Sequence, residues 1–313
     1  MSTAPQKEIL RRTIQSLEAS CRAHPENPKL AQQLAQAYYK AGQFHPRAIQ
    51  LYEAVSEVFP TDVRVQRAVS IGYMVNMGAA LLEEIKTLSD VDPARLDRSI
   101  DQMRQLNRDY PDSPDILRAL GDLLLVRGEY RGAVQSYRSA LALGLDDLVP
   151  VCMHFERLDA LADLPPGVVG FYAELCQRAG RMQEAGNLYR RLVAEGEADP
   201  GMLEAYQGFL TRRLEQVRDD SGARAENLRQ LAEVALARGN SQEALAWTHQ
   251  LAPEAVAASP RLVKRLSRLL IDMEDYRQAF DFLSKIQMDA EAKALLNEIT
   301  VHMEKRGELD TAV

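Results

Sequence analysis

Cys152 and His154 stand two residues apart in the stretch "CMHFER", and this pair is the strongest candidate for metal or nucleophilic chemistry. A zinc site needs about four such ligands, commonly supplied as two pairs. No second pair completes the set, because Cys176 lies a helix away. The other histidines are scattered: His24, His45, His249 and His302. We therefore predict a packed cysteine beside a surface histidine, and no metal ion.

Phosphate-binding and carboxylate chemistry also lack a complete set of residues. The stretch "PPGVVG" at 165–170 has two glycines, but no strand precedes it, and a helix that starts at proline is the simpler interpretation. The acidic pairs Asp146-Asp147 and Asp219-Asp220 precede predicted helices, whose positive N-terminal ends favour carboxylates. We predict that the chain is not an enzyme and uses no cofactor.

Composition favours an α-helical protein outside the membrane. Charged residues make up 27% of the 313 residues, hydrophobic ones 46%, and the net charge is −7. The sequence has no basic face of domain size, so a nucleic-acid partner is not predicted. No apolar run approaches the ~18 residues of a membrane span. Three widely spaced cysteines are typical of reduced thiols. A cytoplasmic protein is expected.

Small residues recur at fixed offsets, which indicates pairs of helices that fold back on each other. In "LGDLLLVRGEYRGAVQSYRSAL", Gly121 is the small residue of the first helix, Gly128 lies at the turn, and Ala133, Tyr137 and Ala140 follow on the second helix. Antiparallel helices need a small residue where their backbones approach closely. A turn often requires the positive φ that glycine adopts without strain.

The same set appears in five further copies, the last of them incomplete. First-helix, turn and anchor residues are, in turn, Ala35, Gly42 and Ala48; Ala173, Gly180 and Ala185; Ala232, Gly239 and Ala244; Ser267, Glu274 and Ala279; and Thr300, Gly307 and Ala312. Thr13 and Ser99 occupy the anchor position in less regular segments. A generic helical bundle is the alternative interpretation. The recurrence of the same set of small residues along the chain favours a repeat architecture.

These residues resemble tetratricopeptide repeats, with the strongest match at 25–62 and 114–145 and the weakest at 63–111. The resemblance implies an all-α, right-handed superhelical α-solenoid of antiparallel helix pairs. We expect a capping helix at 1–25, repeats at 26–145 with an irregular second repeat, and repeats at 146–313 that end mid-repeat. Residues 63–92, 146–167 and 201–227 would hold extra or lengthened helices.

The resemblance also implies that first helices line a concave groove where partner peptides bind. The carried-over positions include two cationic clusters, a front cluster of Arg64, Arg67 and Arg118 and a rear cluster of Arg261, Lys264 and Arg268. Asp115 and Asp122 fall at groove positions beside Arg118. Arginine can bind carboxylates in bidentate fashion, so an acidic protein segment is the expected partner. The alternative is that both clusters are solvated helix faces with local partners, including Asp62 and Glu274.

The sequence therefore predicts a protein-interaction scaffold or adaptor without nucleic-acid binding or membrane insertion. Two alternatives stay open: a targeting region of a larger enzyme, such as a repeat-bearing glycosyltransferase, or a self-assembling structural component. The last repeat reaches Ala312 without a second helix to cover Ile299 and Met303. We expect either further chain, a partner or a second copy to cover that end.

Overall fold

The computed structural model describes residues 4–84 and 91–306. Within those ranges the chain forms seventeen α-helices and no β-strand, which confirms the predicted all-α class. It divides into two compact units, one ending at Gly180 and the other beginning at Arg181. The expected grouping of repeats into 26–145 and 146–313 stays a prediction.

Proline and side-chain caps define where the helices begin. The first unit contains α1 (Ala4–Ala23), α2 (Pro28–Ala41), α3 (Pro46–Val58), α4 (Val63–Glu84), α5 (Pro93–Asp109), α6 (Pro114–Arg127), α7 (Tyr130–Ala142), α8 (Val149–Leu161) and α9 (Pro166–Arg178). The second contains α10 (Met182–Glu195), α11 (Pro200–Gln216), α12 (Ser221–Ala237), α13 (Ser241–Thr248), α14 (Pro253–Ala257), α15 (Pro260–Asp272), α16 (Tyr276–Leu283) and α17 (Ala290–Arg306). Eight of them start at a proline, whose fixed φ and missing N–H suit the first helical position. Asn27, Ser113 and Asp220 each accept backbone N–H groups as N-caps.

The helix pair α6–α7 forms around the small residues that predicted it. The two helices pack against each other, and Ala133 is fully buried between them. A Cβ added to Gly121 would lie 2.9 Å from Cζ of Tyr137. The first-helix glycine therefore makes room for the aromatic ring of the second helix.

Burial of the anchor residues supports the predicted repeat positions. Ala48, Ala133, Ala185, Ala244 and Ala279 are fully buried, and Ser99 is nearly so. Thr13 differs, because its side chain is exposed and donates to the Ile9 carbonyl at 2.9 Å. Gly307 and Ala312, which the sequence places in a last repeat, lie outside the described residues.

The helix pairs turn through a residue with positive φ. Gly42, Gly128, Gly180 and Gly239 have φ between 68° and 79°. After Gly42, Gly128 and Gly239, the N–H of the next residue donates to a carbonyl of the first helix, as in Glu129 to the Leu124 carbonyl at 2.9 Å. This is the Schellman pattern, and it satisfies carbonyls that the helix end would otherwise leave unpaired.

Lengthened or inserted helices occupy the three irregular segments, as α4, α8 and α11. α4, with 22 residues, packs against α2, α3, α6 and α8. Together with α5, α7 and α8, it encloses α6 on nearly every side. The prediction that His154 is a surface residue is wrong, because this side chain of α8 lies buried against α6. Cys152 is buried, as predicted.

Candidate functional site

Arg64 and Arg67 of the front cluster are exposed on α4, one helical turn apart. Asp62, the carboxylate expected to pair locally with them, caps α4 through the N–H groups of Arg64 and Val65. Its other oxygen accepts the side-chain amides of Gln32 and Gln36 at 2.8 and 2.7 Å. These four hydrogen bonds lower the pKa of Asp62 against the opposing effect of desolvation. Neither arginine has an ion-pair partner among residues 4–84 and 91–306.

Arg118 has a different environment from the other two front arginines. Its side chain is 14% exposed, and Nη1 lies 2.5 Å from Oδ2 of Asp122. Nη2 donates to the Val75 carbonyl of α4 at 3.5 Å. The guanidinium therefore joins α6 to α4, and it does not extend from the surface as Arg64 and Arg67 do.

The expectation that Asp115 and Asp122 are groove residues is wrong, because both are buried. Asp115 is buried and accepts the Phe44 N–H at 2.9 Å, which ties the α2–α3 turn to α6. Asp122 is completely buried because α4 covers the face of α6 that a regular repeat would expose.

Asp122 is the centre of a buried polar network. Besides Arg118, it accepts the Tyr137 hydroxyl at 2.6 Å and lies 3.0 Å from Nδ1 of His154. Burial alone would raise the pKa of Asp122, but the Arg118 guanidinium and the hydrogen bonds from His154 and Tyr137 bring it below its ordinary value. The network links α6, α7 and α8, so we assign it to the fold of the first unit.

The rear cluster lies on α15, and its three members have different contacts. Arg261 is exposed and donates to the Ala194 carbonyl at 3.0 Å. Lys264 pairs with Asp289 at 2.9 Å and Glu291 at 2.7 Å, and hydrogen bonds to these two carboxylates raise its pKa. Arg268 is exposed and has no hydrogen-bond or ion-pair partner within the described part of the chain.

A further arginine of α15, Arg265, extends the rear cluster. Its side chain is exposed. Burial raises the pKa of Glu233 on α12, and the positive charges of Arg229, Arg261 and Arg265 oppose this rise. The sequence contained the signal, since residues 261, 265 and 268 follow the i, i+4, i+7 spacing of one helix face. Arg265 was not predicted, because the groove positions implied by the resemblance were 261, 264 and 268.

An uncovered groove lies between α1 and α2. It has a volume of about 1020 Å³, and Ile9, Leu10 and Leu17 of α1 lie along one wall. Ala37 and Lys40 of α2 and Arg64 of α4 also line the groove. The groove combines apolar walls with cationic groups.

Metal-binding clusters and membrane-spanning helices are both absent from the described residues. No group of three or more His, Cys, Asp or Glu side chains among the described residues could hold a metal ion. None of the helices in residues 4–84 and 91–306 is long and apolar enough to cross a membrane.

The family comparison concerns the segment that contains α5, α6 and α7. The tetratricopeptide repeat model matches residues 91–147. Over these residues the chain is similar to a tetratricopeptide repeat. Within the match, the pair α6–α7 supplies Gly121, the Gly128 turn and the buried Ala133 and Tyr137. A tetratricopeptide-repeat fold generally supports protein interaction.

Solved structures that are similar to this chain show low sequence identity to it. A chain of the APC/C hetero-tetramer Cut9–Hcn1 is 13% identical with a TM-score of 0.27, over 93% of this chain and 59% of that chain. The P58(IPK) tetratricopeptide-repeat domain is 10% identical with a TM-score of 0.26, over 95% and 94%. Yeast Tom70 is 14% identical with a TM-score of 0.23, over 96% and 60%. This chain thus spans less than two thirds of the first and third of these chains. No curated protein matches the sequence.

Proposed function

We propose that this chain is a non-catalytic interaction scaffold that binds an acidic segment of a partner protein on the first helices of its repeats. The observation that carries the proposal is the exposure of three arginines, two on α4 and one on α15. Arg64, Arg67 and Arg268 have no ion-pair partner among the described residues, although acidic residues outnumber basic ones, 45 to 38, in the whole chain.

The chemistry of arginine favours a carboxylate-rich ligand. Each guanidinium offers a planar fork of donors that matches a carboxylate, and it stays charged at every physiological pH. Packed helices hold these forks in place before the partner arrives, which reduces the ordering entropy that binding must offset. Arg261 and Arg265 add charge beside Arg268.

Two predicted site residues have other roles in this proposal. Arg118 positions α4 against α6 through Asp122 and Val75, so it supports the surface that carries Arg64 and Arg67. Lys264 already binds Asp289 and Glu291, and a partner carboxylate would have to displace them. Arginines 64, 67, 261, 265 and 268 are therefore the proposed contact residues.

The test is the binding of a fluorescent glutamate-rich peptide to the full chain. Reversing Arg64 and Arg67 to Glu, or Arg261 and Arg268 to Glu, should weaken binding at least about tenfold, equivalent to ~1.4 kcal/mol. Binding to the wild-type chain should also weaken as salt rises, because ions screen exposed charges over about 10 Å at 0.1 M.

The matched control reverses Arg47 and Arg131, two exposed arginines on the second helices α3 and α7. This variant has the same net charge as each test variant. Equal losses in control and test variants would mean that overall charge, and not the first-helix arginines, governs binding.

A further inference from the structure

Helix α1 leaves one face uncovered where it borders the groove. Of its four large aliphatic residues only Ile14 is buried, while Leu10 and Leu17 are half-buried and Ile9 is 64% exposed. α1 packs against α2, and the Tyr38 hydroxyl donates to Glu18 at 2.6 Å. The uncovered residues lie along a neighbouring face of the same helix, at Ile9, Leu10, Thr13 and Leu17.

The position of Thr13 indicates that this face of α1 is the one that a first helix covers in a complete pair. Thr13 precedes Ala48 by 35 residues, one repeat length, and so occupies the anchor position of a second helix. In the complete pairs α6–α7 and α15–α16, the anchors Ala133 and Ala279 are fully buried and the first helix packs against the second. At Thr13 the anchor position opens into the groove instead. Within the described residues, α1 is a second helix whose first-helix side is vacant.

We propose that an amphipathic α-helix of a partner protein, apolar on one face and acidic at its flank, docks in this groove in place of a first helix. Among the described residues, the side chains that line the groove include those of Lys40 and Arg64 and none of Asp or Glu, so the groove complements negative charge. This inference goes beyond the binding of an acidic segment, because its main contacts are apolar and lie on α1.

Charge argues against a second copy of this chain as the occupant. A twofold contact places the same patch of each copy against the other. Two such grooves would bring Lys40 and Arg64 of one copy towards the same cations of its partner. A separate helix with acidic flanks meets no such repulsion.

Dimensions favour a helix over an extended segment. A groove of about 1020 Å³ has room for several anchoring side chains. Ile9, Thr13 and Leu17 lie one turn apart along α1. A helix that runs along α1 in either direction presents its own i, i+3, i+4 and i+7 residues at a matching spacing.

The experiment uses the full chain and a fluorescent probe peptide of about four helical turns, with leucines at i, i+3, i+4 and i+7 and glutamates at the flanks. Ile9→Gln removes an exposed apolar contact without adding charge, and Thr13→Gln fills the groove. Each should weaken binding at least about tenfold, since a few anchors carry most of the affinity of such contacts. Ala19→Gln, at an exposed position of α1 that does not line the groove, is the matched control and should bind like the wild-type chain.

Three results would overturn the inference. One is equal binding of the peptide to Ile9→Gln, Thr13→Gln and wild type. Another is equal binding of a control peptide whose leucines are replaced by serine, which would leave charge alone as the cause. The third is a concentration-dependent dimer of the wild-type chain that Ile9→Gln dissociates, which would make a second copy the occupant. Retained peptide binding by the Arg261→Glu/Arg268→Glu variant would separate this groove from the rear cluster.

Discussion

Glu274 occupies the same position in the α15–α16 pair that Gly128 occupies in the α6–α7 pair. Their φ angles are 62° and 79°, and Glu274 is the only non-glycine residue with positive φ among those described. Asp275 donates to the Leu270 carbonyl at 2.8 Å, just as Glu129 donates to that of Leu124 at 2.9 Å. The turn geometry is therefore a property of the repeat, and it persists where the sequence does not provide glycine.

Gly128→Ala should destabilise the chain by about 1 kcal/mol, because alanine is strained at positive φ. No atom lies within 4 Å of the Cβ that this change would add, so the cost arises from the backbone and not from a clash. Gly208→Ala is the control, since Gly208 lies inside α11 with equally open surroundings and no positive φ. Chemical denaturation should show a loss of stability for the first variant and a small gain for the second.

Glu274→Gly should stabilise the second unit, by about 0.5–1 kcal/mol, because it relieves the left-handed backbone conformation. The change also removes the carboxylate that pairs with Arg306, but this pair is exposed and exposed pairs contribute little. The melting temperature of Glu274→Gly compared with Glu274→Ala separates the two effects. Equal melting temperatures for these variants would contradict a backbone origin.

The repeat was predictable from sequence because each of its positions depends on the size of one side chain or on the backbone conformation of one residue. Ala133, Tyr137 and the turn glycines are determined by close helix contact, and spacing alone placed Glu274 at a turn. Arg118 and His154 were misplaced because their environment depends on α4 and α8, whose length and packing no repeat pattern specifies. The vacancy beside Thr13 was not predictable either, since it depends on which helix faces α1.

Ala133→Leu should overpack the α6–α7 contact and cost roughly 1–3 kcal/mol. Ala133 is fully buried in the α6–α7 pair, whereas Ala142 of the same helix is exposed. Ala142→Leu therefore serves as the control and should leave the free energy of unfolding almost unchanged. If both variants unfold at the wild-type denaturant concentration, Ala133 is not at the closest helix approach.

Asp122→Asn should destabilise the first unit by roughly 3 kcal/mol at neutral pH, because it leaves the Arg118 guanidinium without its charged partner. The lowered pKa of Asp122 means that its ionised form contributes stability above the ordinary carboxyl pKa, near 4. That contribution is lost as pH falls through the lower folded-state pKa. The difference between wild type and Asp122→Asn should therefore narrow in acid.

Denaturant titrations at several pH values measure this difference. Asp101→Asn is the control, because Asp101 pairs with Arg104 on the exposed face of α5 at 3.4 Å. It should cost less than about 1 kcal/mol at any pH. A difference between Asp122→Asn and wild type that stays constant with pH would contradict an ionised Asp122 in the folded chain.

Photo-crosslinking of a bound glutamate-rich peptide locates the proposed partner surface most directly. The peptide carries a photoreactive residue at its centre, and mass spectrometry identifies the helices to which it attaches. We predict cross-links on the first helices α4 and α15, near Arg67 and Arg268, and their loss in the Arg64→Glu/Arg67→Glu and Arg261→Glu/Arg268→Glu variants. Cross-links confined to second helices such as α3 and α7, unchanged by those variants, would contradict binding on the first-helix surface.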